Sequence, residues 1–151
     1  MHMQWVVVAD QSRARIFQTS GQLDELVEID DLLNPSGRQD DSDLRKDAKG
    51  RFYGKGERDQ AHTAEPHVTQ EEHAADRFSR EVMAYLEHAN HDHRFESLVM
   101  IAPPEFLGLL RKQLSKNVET KVRQQLATDI SGLHETQIRD YLRRHVSPYA
   151  H

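Results

Sequence analysis

Trp5-Val6-Val7-Val8-Ala9-Asp10-Gln11-Ser12-Arg13-Ala14-Arg15-Ile16-Phe17 is the stretch on which the fold turns. Five consecutive apolar residues bounded by polar ones suit a strand covered on both faces, because a half-exposed strand would alternate. Asp10 to Arg13 reads as a short polar turn. Ala14, Ile16 and Gln18 then alternate with Arg15, Phe17 and Thr19, the period of a second strand.

Working outward, Ser20-Gly21-Gln22 has the composition of a hairpin turn, and Leu23 to Ile29 reads as a third strand. From Asn34 to Val68 the periodicity vanishes. Those 35 residues hold Gly37, Gly50, Gly54 and Gly56, two prolines, and seven basic side chains against seven acidic ones. A connection of this length inside one domain is uncommon unless it is functional or disordered. It is expected to be a long, flexible loop.

Regular patterning resumes at Thr69-x-x-Glu72, which has the form of a capping box. Ala75, Phe78, Val82, Leu86 and Ala89 follow at helical spacing, so a helix is expected from about 70 to 89. Phe95 to Ala102 reads as a second buried strand, and Pro103-Pro104-Glu105 as a helix start. Phe106, Leu107, Leu109, Leu110 and Leu114 give that helix its apolar face. Val122, Leu126 and Ile130 fit either a helix or an edge strand. Leu133, Ile138, Tyr141, Leu142 and Val146 mark a last amphipathic helix. Three antiparallel strands followed by alternating helices and strands imply a single α/β domain over residues 1–151. Its sheet is mixed, with about five strands and helices on its faces, in the order of a ribonuclease-H-like fold.

Composition narrows the function classes. The formal charge is −5 with the ten histidines neutral, which argues against indiscriminate binding to bulk DNA or anionic membrane. Cysteine is absent, so disulfides, thiol catalysis and thiolate metal sites are excluded. Apolar runs reach only five residues, far short of a membrane span or a signal-peptide core. The expectation is a soluble, cytoplasmic protein, with sheet edges compatible with a homodimer.

The opening Trp5–Phe17 segment, the Gly/Arg-rich loop and the late Leu126-x-x-Asp129-Ile130 resemble bacterial host attachment proteins. That family is grouped with the middle domain of archaeal and eukaryotic peptide-chain release factors and Pelota. The resemblance implies a ribonuclease-H-like fold and a translation-associated factor, proximal to RNA or the ribosome. It also places the contact in the loop, at Gly50, Arg51, Phe52, Tyr53, Gly54, Lys55, Gly56, Arg58 and Gln60. Release factors carry Gly-Gly-Gln at this position; this sequence does not, so the role implied is non-enzymatic and needs no cofactor. The residues suit such contact: glycines permit close backbone approach, Arg and Lys meet phosphates, and Phe52 and Tyr53 can stack on bases. The family name itself implies the alternative of an adhesion factor acting on host cells.

Two further groups carry chemistry. Asp10 ends the first strand, and Asp129 is expected to end the last one. With Arg13 and Arg15 they form a strand-end polar cluster, where two carboxylates could help hold Mg²⁺ for a metal-dependent ribonuclease. The plainer reading has Asp10 capping its own turn and an arginine in an ion pair with Asp10 or Asp30-Asp31. His88, His91 and His93 have metal-ligand spacing near a helix end, although histidine there also complements the helix dipole.

Overall fold

The computed structural model describes residues 2–20, 25–36 and 70–147. The expected turn at Gly21-Gln22, the cap at Thr69 and the whole Gly50–Gln60 stretch lie outside the described residues. The elements run β1 (Gln4–Ala9), β2 (Arg13–Thr19), β3 (Val27–Leu33), a long helix α1 described over residues 70–91, β4 (Ser97–Ala102), α2 (Pro104–Gln113), α3 (Lys116–Glu119), β5 (Val122–Ala127) and α4 (Glu135–His145). They build one open five-stranded sheet in the order β3-β2-β1-β4-β5. The first three strands pair antiparallel, while β1, β4 and β5 run parallel. This is the mixed α/β sheet expected from the sequence, and it is compatible with a ribonuclease-H-like topology.

The two contiguous apolar runs occupy the centre. Every residue of β1 and β4 is buried, as a strand covered on both faces requires. Because side chains alternate, each strand feeds two cores. Trp5, Val7 and Ala9 join Leu98, Met100 and Ala102 beneath Phe78, Val82 and Leu86 of α1 and Phe106, Leu107 and Leu110 of α2. Val6 and Val8 join Val99, Ile101 and Phe17 beneath Ile138 and Leu142 of α4. The result is three layers, with α1 and α2 on one face of the sheet and α4 on the other.

The sheet corrects the expected third strand, which lies at Val27–Leu33 rather than 23–29. Asp30 and Asp31 read as the end of an apolar run, yet they belong to an edge strand, where carboxylates stay solvated or find partners. The Tyr85 hydroxyl donates to Asp30 Oδ2 at 2.7 Å, and Arg13 pairs with Asp31 at 2.6 Å. The ambiguous Val122–Ile130 segment resolves as the opposite edge, β5. Ile130 falls outside that strand and is buried in the α4 layer.

α1 closes on His93, whose φ of 57° is the left-handed conformation. Arg94 N–H donates to Ala89 O at 3.0 Å and His93 N–H to Asn90 O at 2.9 Å, the paired bonds of a Schellman cap. α4 opens on a capping box in which His134 stands where Ser or Thr is usual. Its Nδ1 accepts from Thr136 N–H at 3.2 Å, and His134 N–H donates to Gln137 Oε1 at 3.0 Å.

Candidate functional site

A linked group of polar side chains meets where β1 leaves the sheet. Asp10 turns the chain there. Its backbone N–H donates to Arg13 O at 2.9 Å, and its Oδ1 accepts from the N–H groups of Ser12 and Arg13 at 2.8 and 2.9 Å. Three backbone bonds around one carboxylate make the tight connection that the β1–β2 pairing needs.

The other oxygen of Asp10 reaches across the molecule. Ser131, in the β5–α4 connection, donates its hydroxyl to Asp10 Oδ2 at 2.7 Å. Asp129 Oδ1 lies 3.4 Å from the same hydroxyl. The structure thus brings Asp10 and Asp129 to one serine, 121 residues along the chain from Asp10. Ser131 has one proton, and the distances assign it to Asp10.

Arg15 sits beside this turn with only 8% of its surface exposed. Its Nε and one terminal nitrogen grip both oxygens of Glu28 at 3.1 and 2.9 Å. The other terminal nitrogen donates to the carbonyls of Ser131 at 2.9 Å and Leu133 at 2.6 Å. The guanidinium also lies 5.2 Å from the Phe17 ring centroid. The Glu28 hydrogen bond raises the arginine pKa above its ordinary value, against the opposing effect of burial. A planar five-donor group is the one side chain able to tie a carboxylate and two diverging carbonyls together. Arg15 therefore pairs with Glu28, not with Asp10 or Asp30-Asp31, and the pairing with Asp31 falls to Arg13. On the far side of the turn, Asn34 N–H donates to Ser12 O at 2.9 Å and its side-chain amide to Gln11 O at 2.8 Å.

Chemically, the cluster is a strut. Asp10 has accepted three donors, and Arg15 uses four hydrogen bonds on β3 and the β5–α4 connection. Glu28 and Ser131 were not visible as its members from sequence. Glu28 becomes findable only with the β2–β3 register, which sets it opposite Phe17, two residues along β2 from Arg15. Ser131 stands one residue beyond the quoted Asp129-Ile130 pair, and nothing local in the sequence marks it as folding back to Asp10.

The histidines behave differently. His93 supplies the left-handed residue of the α1 cap, and His88 lies 3.6 Å from Asp92 one turn along the helix. Among the described residues, no group of three or more His, Asp or Glu side chains is arranged to hold a metal ion. A cleft of about 740 Å³ opens between α1 and α2, lined by acidic side chains (Glu72, Asp76, Glu105), basic ones (Arg80, Lys112) and Phe106. Among the described residues, no helix is long and apolar enough to cross a membrane.

Residues 5–142 match the family described as proteins required for attachment to host cells. No curated protein matches the sequence. Among solved structures, the chain is similar to the crystal structure of an archaeal translation termination factor, aRF1, with 10% identity and a TM-score of 0.49. That alignment covers 94% of this chain and 38% of the factor, so the chain spans well under half of that protein's length. The family match runs from Trp5 in β1 to Leu142 in α4 and takes in every residue of the strand-end strut; the chain belongs to the family of proteins required for attachment to host cells.

Proposed function

We propose that the protein is a non-enzymatic, RNA- or ribosome-proximal factor of the cytoplasm. The observation that supports the non-enzymatic part is that Asp10 and Arg15 are both engaged by the fold itself. Asp10 and Asp129 stand where carboxylates could hold a metal for phosphodiester hydrolysis. Asp10, however, is bound by two backbone N–H groups and the Ser131 hydroxyl, and Arg15 is bound to structure on three sides. A carboxylate engaged on both oxygens serves the turn.

The RNA-proximal part rests on the composition of Gly50–Gln60, with its glycines, Arg51, Lys55, Arg58, Phe52 and Tyr53. Full-length protein and a variant lacking residues 36–65 should be sedimented with purified ribosomes. Co-sedimentation of the full chain is expected, weakened by the deletion, and no association of either form overturns the reading. Asp10→Asn distinguishes the ribonuclease alternative, since a purified RNA-cleaving activity abolished by that change would make Asp10 catalytic. An attachment role in host cells is then an indirect outcome of translation control, and cell fractionation that found the protein at the cell surface would overturn this.

A further inference from the structure

Consecutive residues of a strand point to opposite faces, and β5 uses this to hold two helix ends. Gln125 Oε1 accepts from Arg111 Nε at 2.5 Å, which ties down the last turn of α2. Gln124 donates to His145 O at 2.9 Å and accepts from Ser147 N–H at 3.2 Å, which ties down the last turn of α4 on the other face. Arg123 is itself fixed, donating to Gln4 Oε1 at 2.9 Å and to Ser147 O at 3.0 Å.

Both tethered helix ends are cationic. Arg111 and Lys112 end α2, and Arg143, Arg144 and His145 end α4, where Arg143 also lies 3.7 Å from the exposed Asp140 carboxylate. Each set also complements its own helix dipole. The dipole does not account for Arg123, which is on a strand, or for the convergence of both sets on one sheet edge. Lys116 and Lys121 lie on the connection between α2 and β5, and Glu119 is the sole acid from 111 to 125. The other edge of the sheet has the opposite character, with Glu28, Asp30 and Asp31 along β3. A chain of net charge −5 has thus gathered many of its described cations at β5. An aromatic pair lies among them: Tyr141 and His145 stack with centroids 4.2 Å apart and planes at 29°, the histidine exposed.

We propose that the β5 edge, with Arg111 on the α2 face and Arg123, Arg143 and Arg144 on the α4 face that carries the Tyr141–His145 stack, binds the phosphate backbone and an unpaired base of single-stranded RNA. Cations along an edge track a backbone, and a π-surface among them accepts bases that a duplex would hide. The proposal rests on the RNA-proximal reading and deepens it by adding a second contact, at the β5 edge, to that of the Gly50–Gln60 stretch.

The test is fluorescence anisotropy of the full chain with a fluorescein-labelled 20-nucleotide poly-U, across a salt series. Arg143→Gln/Arg144→Gln should weaken binding at least tenfold and flatten the slope of log affinity against log salt by ~0.7 for each phosphate no longer neutralised. Tyr141→Leu keeps the apolar packing of that position and should weaken binding about tenfold by removing the stacking surface. Arg80→Gln, a cation paired with Asp76 away from this edge, should leave affinity unchanged. Wild-type protein that fails to bind poly-U at low salt overturns the proposal, as do corner variants that bind like wild type while keeping wild-type circular dichroism and melting. A change in the sedimentation of the protein alone on Arg143→Gln/Arg144→Gln assigns the edge to a protein contact and overturns it too. Ribosome sedimentation separates the two readings. Wild-type ribosome association that survives the β5-edge changes retains the ribosome-proximal role and rejects this site, whereas poly-U binding without ribosome association retains the site and rejects the ribosome-proximal role.

Discussion

Arg15 is the residue on which the strand-end architecture turns. Replacing it with Met removes a buried charge and leaves Glu28 and two carbonyls without donors, which costs about 3–5 kcal/mol when one partner of a buried pair is removed. Chemical denaturation of Arg15→Met should show that loss, and Arg15→Met/Glu28→Met should recover part of it, because the stranded carboxylate is then gone. Lysine should not substitute, since a single ammonium cannot span Glu28, Ser131 O and Leu133 O at once. Tyr85 gives a pH-dependent counterpart. Burial, helped by its bond to Asp30, pushes the phenol up to about 12 from its ordinary 10. The folded state therefore keeps the proton where the unfolded state has released it. The resulting stabilisation is complete below pH 10 and disappears as pH rises from 10 to 12. Tyr85→Phe should melt with a shallower decline across that window than wild type.

The elements divide between those legible from sequence and those set by tertiary context. β1, β4 and the helix stripes announced themselves because burial on two faces, or on one stripe, leaves an uninterrupted pattern in Val6-Val7-Val8 or in Phe78, Val82 and Leu86. The edge strands did not. Asp30 and Asp31 carry no strand signal, because an edge strand needs little apolar surface and its acids answer to Arg13 and Tyr85, residues remote in sequence. The same remoteness hid Glu28 and Ser131 from any local reading, whereas Asp10, as its own turn's acceptor, was readable from its position after an apolar run. Helix ends are intermediate. His93 occupies a left-handed position that most side chains reach at a cost of about 1 kcal/mol, so His93→Gly should raise stability by ~1 kcal/mol. In a chain of this size that is a rise of a few degrees in melting temperature. His134→Ala should do the opposite, costing about 0.5–2 kcal/mol because the cap is removed, with Ser restoring most of it.

At the level of the whole molecule, the sheet order sets where stability resides. β1 and β4 are enclosed by neighbouring strands on both sides and by helices on both faces. β3 and β5 have one paired side each. Native-state hydrogen exchange should find the slowest amides in Val6–Val8 and Val99–Ile101, opening only with global unfolding, and markedly faster exchange in β3 and β5. Edge-first loosening would leave the two cores, and the family-matching segment that builds them, intact.

The position of β1 in that order has a kinetic corollary. Its second neighbour β4 begins 93 residues further along the chain, and the α4 layer that covers its other face is later still. At a synthesis rate of about 5–20 residues per second, Trp5-Val6-Val7-Val8-Ala9 emerges roughly five to twenty seconds before its permanent partners. During that interval β2 and α1 are available to pair with β1 and to cover Trp5, Val7 and Ala9, while Val6 and Val8 await α4. One face of β1, with Val6 and Val8, therefore stays open longest, until Ile138 and Leu142 of α4 have been made.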